Sequence, residues 1–444
     1  MREKKFDFGI IGSGPAGYTA AIRASQLGKT VVLFEKENLG GVCLNKGCIP
    51  TKTFLYSADV YNSLKKVSNL GIEIENYSLN FEKVVQRKEK TVEKLRKSLE
   101  MLLKSYGIEI VYSEAKIIKQ GAEKPDFPLS SSLIQANGEI YECLNVLAAT
   151  GAEPKCVGGF EFDHEFILSS DDILELKTLP EKVLIVGSGA IGIEWARIFS
   201  AFGSEVTIIE IADRLLPPAD FEISQRLERI FKMSRIKMFL STSVSEIKDK
   251  KVTLSNGDVL EPDFVLFATG RGANKIMDTE DLLKIGDCSG NIQLAHFASH
   301  QGIQVVENIV LGKEIKEFIT PSVVYGEPEI AWAGKCEQEL ISEKIEYKKS
   351  VFPISALGKA ATENNLEGFV KILAGNAGKI LGVHIISKEA SALLHQLTIA
   401  MENGIKVEEL KHCCFAHPTY SEGIYEALLG IDNQSLSLLR GQNA

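Results

Sequence analysis

Residues 6–35, FDFGIIGSGPAGYTAAIRASQLGKTVVLFE, read as an apolar strand, a glycine turn, a helix and a second apolar strand. Gly12, Gly14 and Gly17 fit the pattern G-x-G-x-x-G. The first permits the tight turn, the second lets the backbone approach a pyrophosphate, and the third lets helix and strand pack closely. The helix start then offers unpaired N–H groups and a positive dipole end to phosphates. Glu35 closes the second strand, where a carboxylate can accept hydrogen bonds from ribose hydroxyls.

One such motif is weak evidence, but a second complete copy follows. Residues 182–210, KVLIVGSGAIGIEWARIFSAFGSEVTIIE, repeat it with Gly187, Gly189, Gly192 and Glu210 at the same spacing. The expected fold class is α/β, with two Rossmann-like dinucleotide-binding domains. Glu210 suits the free 2′-hydroxyl of NAD and would repel the 2′-phosphate of NADP. LNVLAATGAEP (144–154) and PDFVLFATGRGAN (262–274) each run an apolar strand into Ala-Thr-Gly, and IGDCSG (285–290) offers Asp287 near a strand end. Read alone, all three are also ordinary strand-terminating turns.

The bulk numbers narrow the partners. A chain of 444 residues implies two to four domains. The net charge of −9 argues against nucleic acid or an anionic membrane as the main partner. The basic run QRKEKTVEKLRK (86–97) reads as the solvated back of a helix whose apolar face is Val92, Leu95, Leu99, Leu102 and Leu103. The start, MREKKFDFGIIGSGPAG, lacks a secretory apolar core, and no run approaches transmembrane length. A cytoplasmic location is expected, where a redox-active disulfide is more plausible than a permanent one. The eight cysteines include no Cys-x-x-Cys pair, so no metal site is expected.

Two short stretches carry reactive groups. GGVCLNKGCIPTK (40–52) places Cys43 and Cys48 in a glycine-rich segment, a spacing open to metal binding, stapling or electron transfer. Pro50 and the following KTFLYSADVYNSL predict a helix, which puts Cys48 near a helix start that favours a thiolate. HPTYSE (417–422) reads either as a helix capping box from Thr419 to Glu422 or as an acid–base histidine beside a carboxylate.

Taken in order, these motifs make the chain resemble the pyridine nucleotide–disulfide oxidoreductases along essentially its whole length, and among them the dihydrolipoamide dehydrogenases. The resemblance implies FAD at the first glycine copy and NAD at the second, with Thr150, Gly151, Asp287, Ala295 and Gly270 as further cofactor contacts. It implies that Cys43 and Cys48 form the redox disulfide. Cys48 would face the flavin in a charge-transfer complex, and Cys43 would exchange with substrate. Lys52 would lie near flavin N5 with Glu194 as its partner, and His417, oriented by Glu422, would move the proton. In the family the His–Glu pair crosses a two-fold axis, so a homodimer with shared sites is implied, in an α+β interface domain that follows the nucleotide-binding domains. The expected borders are 1–152 for the first part of the FAD domain, 153–279 for the NAD domain, 280–320 for the return to the FAD domain, and 321–444 for the interface domain. The implied partners are lipoyl domains of 2-oxoacid dehydrogenase or glycine-cleavage complexes; the other readings are a related NAD(P)H-dependent disulfide or mercuric reductase, or a docking subunit of such a complex. The last residues, SLLRGQNA, hold no cysteine pair, and Cys413–Cys414 read as structural. Three features depart from the family pattern: a short segment between Arg271 and Gly286, Lys46 inside the cysteine loop, and Gly326 where relatives usually carry threonine.

Overall fold

The computed structural model describes residues 4–119, 131–275 and 282–438. Its first sheet contains β1 (Lys4–Ile11), β2 (Val31–Glu35), β3 (Glu109–Tyr112), β4 (Lys116–Lys119), β5 (Ser132–Ala136) and β6 (Glu139–Ala148), in the order β3-β2-β1-β6-β5-β4. β1 runs parallel to both neighbours, with Phe8 opposite Val31 and Asn145. Every residue of β2 is buried, as a parallel strand covered on both faces requires. One cover is α1 (Pro15–Gln26), followed by α2 (Gly41–Asn45), α3 (Cys48–Leu64) and α4 (Phe81–Ser105). α4 buries Val85, Val92 and Leu103, but Leu95 and Leu102 stay exposed. The expected apolar stripe is thus narrower than its leucines suggested.

β7 (Ala152–Pro154) leaves this sheet and leads into a second one. There β8 (Ile167–Leu168), β9 (Lys182–Val186), α5 (Ala190–Phe202), β10 (Glu205–Ile209), α6 (Phe221–Met233) and β11 (Lys237–Phe239) follow in turn. A meander of β12 (Val244–Lys248), β13 (Lys251–Leu254) and β14 (Val259–Leu260) precedes β15 (Phe264–Phe267), giving the parallel order β11-β10-β9-β15-β8. β16 (Arg271–Ala273) pairs antiparallel with β7, so the two crossings between the sheets lie side by side. Part of the short segment after Arg271, residues 276–281, lies outside the described residues. β17 (Leu283–Lys284) then rejoins the first sheet beside β6.

α7 (Ala295–Leu311) packs on α1 through small residues: a Cβ on Gly302 would come within 2.6 Å of Ala16 O. A third, antiparallel sheet takes β18 (Ser322–Val324), β19 (Glu329–Gly334), β20 (Tyr347–Pro353), β21 (Phe369–Gly375) and β22 (Ile380–Ser387) in the order β18-β19-β22-β21-β20. α8 (Glu337–Ser342), α9 (Gly358–Thr362), α10 (Ala390–Glu402), α11 (Val407–Lys411) and α12 (Glu422–Gly430) flank it.

The second and third sheets are joined by a buried charge cluster. Asp220 caps α6 by accepting from Glu222 N, and it accepts from Lys371 Nζ at 2.8 Å and from Glu337 N at 3.0 Å. Lys371 and Asp220 are fully buried. Lys371 also donates to Glu337 at 2.6 Å, and burial works against its charge while the carboxylates outweigh it and raise its pKa. Removing one partner of such a buried pair would leave an uncompensated charge shielded from water.

Candidate active site

The two glycine turns are built alike. In the first, a Cβ on Gly12 would lie 2.8 Å from Ala149 C, so the turn needs a bare backbone with φ near 101°. Gly187 does the same against Ala268 O at 2.7 Å, with φ near 102°. Gly17 and Gly192 sit where any Cβ would strike the carbonyls of Gly12 and Gly187. Gly14 and Gly189 cap α1 and α5, and neither helix has an acidic residue in its first turn. Both helix starts therefore keep their N–H groups and positive dipole for an anion.

Glu35 ends β2, Glu210 directly follows β10, and both are buried. Glu35 Oε2 accepts from Ser13 N at 3.1 Å and Ser13 Oγ at 2.5 Å, and Glu210 Oε2 accepts from Ser188 N at 2.8 Å and Ser188 Oγ at 2.6 Å. The two serines escaped the sequence reading. They occupy the variable position of G-x-G in both copies, and their identity in both was the signal.

The fold gathers the other expected contacts of the first copy. A Cβ on Gly12 would be 3.3 Å from Thr150 Cα, and one on Gly286 would be 2.9 Å from Ala16 Cβ, so Thr150, Asp287 and the start of α1 converge. Gly151 follows with open space on its Cα, and Ala295 opens α7. Thr150 Oγ1 is shielded from solvent and has no hydrogen-bond partner among the described residues. Asp287 is half-buried; burial raises its pKa, with Arg271 opposing the shift. A shielded hydroxyl, a desolvated carboxylate and a helix start with bare amides fit a dinucleotide with polar linking groups. In the second copy Gly189 and Gly270 face open space, so the backbone there is accessible to a ligand.

Cys43 and Cys48 are joined as a disulfide with Cα atoms 4.7 Å apart. Cys43 lies in α2 and Cys48 is the first residue of α3, with Pro50 in its first turn. That start tolerates proline because its N–H would have no helical partner. Asn45 Nδ2 fixes the loop by donating to Leu39 O and Gly41 O, each at 2.9 Å. Lys46 is not a free solvent group: it pairs with Glu37 Oε2 at 2.9 Å, which raises the lysine pKa and lowers that of Glu37.

Lys52, on the same helix, donates to both oxygens of Glu194 at 2.8 and 2.9 Å across the contact between α3 and α5. Glu194 is 3% exposed. Its Oε1 also accepts from Tyr325 N at 3.1 Å, and the Tyr325 ring lies 4.8 Å from Lys52 Nζ. Tyr325 belongs to the third sheet's first hairpin, too distant in sequence for any local pattern to reveal.

His417 stands apart from these groups in the C-terminal segment. Its ring is exposed, and Nδ1 shares a hydrogen bond of 2.8 Å with Glu422 Oε1. Glu422 begins α12, and its Oε2 accepts from Thr419 N at 2.9 Å. The carboxylate thus serves both readings of HPTYSE, though Thr419 Oγ1 turns to Ala416 O and the reciprocal half of a capping box is missing. Burial opposes ionisation of Glu422, but the bonds from His417 and Thr419 prevail and lower its pKa.

Residues 6–285 match the family model for pyridine nucleotide-disulphide oxidoreductases, and residues 320–428 match the dimerisation domain of the same family. The chain belongs to this family of oxidoreductases, whose cofactors are FAD and NAD, and it carries the dimerisation domain. It is 35% identical to the dihydrolipoyl dehydrogenase of Bacillus subtilis, over 97% of this chain and 99% of the relative. It is 33% identical to the mitochondrial dihydrolipoyl dehydrogenase of Dictyostelium discoideum, over 95% and 93%. The fold is also that of LpdA from Mycobacterium tuberculosis, with a TM-score of 0.86 at 23% identity, covering 96% of this chain and 99% of that one. Among the described residues no helix is long and apolar enough to cross a membrane, and no group of histidine, cysteine and carboxylate side chains could hold a metal ion.

Proposed function

We propose that this protein is an FAD-dependent dihydrolipoamide dehydrogenase that oxidises protein-bound dihydrolipoyl groups with NAD through the Cys43–Cys48 disulfide. The observation that carries the reading is the disulfide at the start of α3, one helical turn before Lys52 and its partner Glu194. The full-length likeness to dihydrolipoyl dehydrogenases supports the substrate. The first glycine turn with Thr150, Asp287 and Ala295 would hold FAD, and the second with Glu210 and Gly270 would hold NAD. We place the domain borders at 1–152, 153–279, 280–320 and 321–444, and the protein in the cytoplasm as a homodimer that serves lipoyl domains of 2-oxoacid dehydrogenase or glycine-cleavage complexes.

In this mechanism His417 of one subunit serves the disulfide of its partner. Glu422 occupies Nδ1, so Nε2 takes the proton from a dihydrolipoyl thiol. The thiolate attacks Cys43 Sγ; an S–S bond to substrate forms as the Cys43–Cys48 bond breaks, and Cys48 leaves as a thiolate. The helix dipole of α3 and the nearby Lys52 favour that charge. The second substrate thiol, deprotonated in turn, attacks the substrate sulfur of the mixed disulfide, releasing lipoyl disulfide and the Cys43 thiol. When bound at the first glycine turn, FAD would supply the acceptor for the electron pair now on the two cysteines, and NAD at the second turn the acceptor for hydride. Lys52, held by both oxygens of Glu194, keeps a fixed cation one helical turn from Cys48.

The test is to purify the protein, measure bound flavin, and follow dihydrolipoamide oxidation with NAD and separately with NADP. Flavin-dependent turnover with NAD is the expected result. A flavoprotein that ignores dihydrolipoamide but reduces glutathione disulfide or mercuric ion would overturn the substrate assignment.

A further inference from the structure

Gly326, in the turn between β18 and β19, has a counterpart across the fold. Glu194 and Arg197 are three residues apart on α5 and so share one of its faces. Both hold the peptide units around Tyr325. Glu194 accepts from Tyr325 N, while Arg197 Nη1 donates to Pro328 O at 2.6 Å and to Tyr325 O at 3.3 Å. The Tyr325 backbone is thus held at its N–H and its carbonyl, and its ring lies against Lys52 Nζ.

Arg197 reaches these carbonyls only because residue 326 has no side chain. A Cβ at Gly326 would collide with Nη1 and lie 2.7 Å from Cδ of Arg197, and the backbone there has φ near 129°, a conformation that favours glycine. Apart from those carbonyls the guanidinium lies over the Phe231 ring, 5.9 Å from its centroid. Its Nε and Nη2 are shielded from solvent and without hydrogen-bond partners among the described residues, and burial lowers its pKa to about 10 while Asp59, Glu194 and Glu329 oppose the shift. Asp59 lies seven residues beyond Lys52 on α3, on the same side of that helix; burial and Glu327 raise its pKa to about 6. Burying donors without partners is costly, so the two backbone carbonyls are bonds this guanidinium holds at the expense of its hydration.

We propose that Arg197 and Gly326 are a size-matched positioning pair: the arginine fills the place of a side chain at 326 and holds the Tyr325 segment so that Glu194 and the tyrosine ring fix Lys52. This rests on the proposed function, in which Lys52 stands beside the flavin. The pair is a property of this chain rather than of either motif, because neither residue lies in a glycine turn or in the cysteine loop.

Gly326→Thr, Arg197→Ala and the double variant test it, read by flavin content, by the long-wavelength absorbance of the two-electron-reduced protein, and by the pH profile of kcat. Gly326→Thr alone should keep flavin but lose most of the absorbance and several-fold in kcat, with a displaced pH profile. The double variant should recover at least half of that loss, since removing the arginine makes room for the threonine. A double variant worse than Gly326→Thr alone would overturn the pairing. So would single variants that shift the melting temperature but leave the absorbance and pH profile at wild-type values. If Gly326→Thr does not fold, Arg197→Met, which keeps bulk but not the two donors, must itself reduce the absorbance, and an unchanged spectrum overturns the proposal. A wild-type protein without flavin would instead sink the proposed function, a separate result.

Discussion

The two glycine copies differ least where they bind the glutamate and most in what the chain does next. After Glu35 the backbone returns to Ser13, with Gly40 N donating to Ser13 O at 3.1 Å. After Glu210 it returns to Ser188 in the same way, with Leu216 N donating to Ser188 O at 3.1 Å. The first return continues as Gly41, which lies so close to Gly14 that a Cβ on it would be 2.6 Å from Gly14 Cα, and then as the cysteine loop. The second continues as buried Leu216 and Ala219 and ends at Asp220, which caps α6 and binds Lys371. One folding unit thus serves as a redox mount in one copy and as a tether to the third sheet in the other. The motif defines the nucleotide cradle, and the segment after the glutamate defines the task.

The contrast can be broken from either side. Cys43→Ser should produce the largest effect, abolishing dihydrolipoamide turnover while bound flavin stays at the wild-type level; retained turnover would refute the mount. Lys371→Met comes next. It leaves Asp220 buried without its lysine, while Glu337 keeps Lys349, so denaturant unfolding should show a loss of about 3–5 kcal/mol, and an unchanged midpoint would show that the tether carries no weight. Glu210→Ala should narrow the preference for NAD over NADP by about tenfold, the scale of one lost charged hydrogen bond. Glu35→Ala should leave that ratio alone, and a shift there instead would exchange the roles of the copies. The smallest effect belongs to Lys46→Met. Its pair with Glu37 is largely exposed, so the cost should stay below about 1 kcal/mol. The sign with pH is fixed: the Glu37 share is lost as pH falls through its lowered folded pKa, and the Lys46 share as pH rises through its raised one.

The parts legible in sequence were those coded locally. Gly12, Gly187 and their neighbours declare a turn because only a bare backbone fits against Ala149 and Ala268, and Cys48 declares a helix start through Pro50. Glu422 beside His417 was legible as a choice between two roles, and the structure gives the carboxylate one oxygen for each. What escaped was coded between elements. Tyr325 meets Glu194, and Lys371 meets Asp220, only after separate sheets have packed, and no periodicity records such contacts. Leu95 and Leu102 failed for a related reason: helical spacing marks a face, but the neighbouring element decides how much of it is covered.

The serine inside each glycine turn has a thermodynamic consequence. Ser13 and Ser188 each hold their glutamate with two hydrogen bonds. Under the proposed cofactor placement, a ribose at either carboxylate would meet a side chain whose rotamer freedom folding has already restricted, so that ordering cost would be absent from the binding free energy.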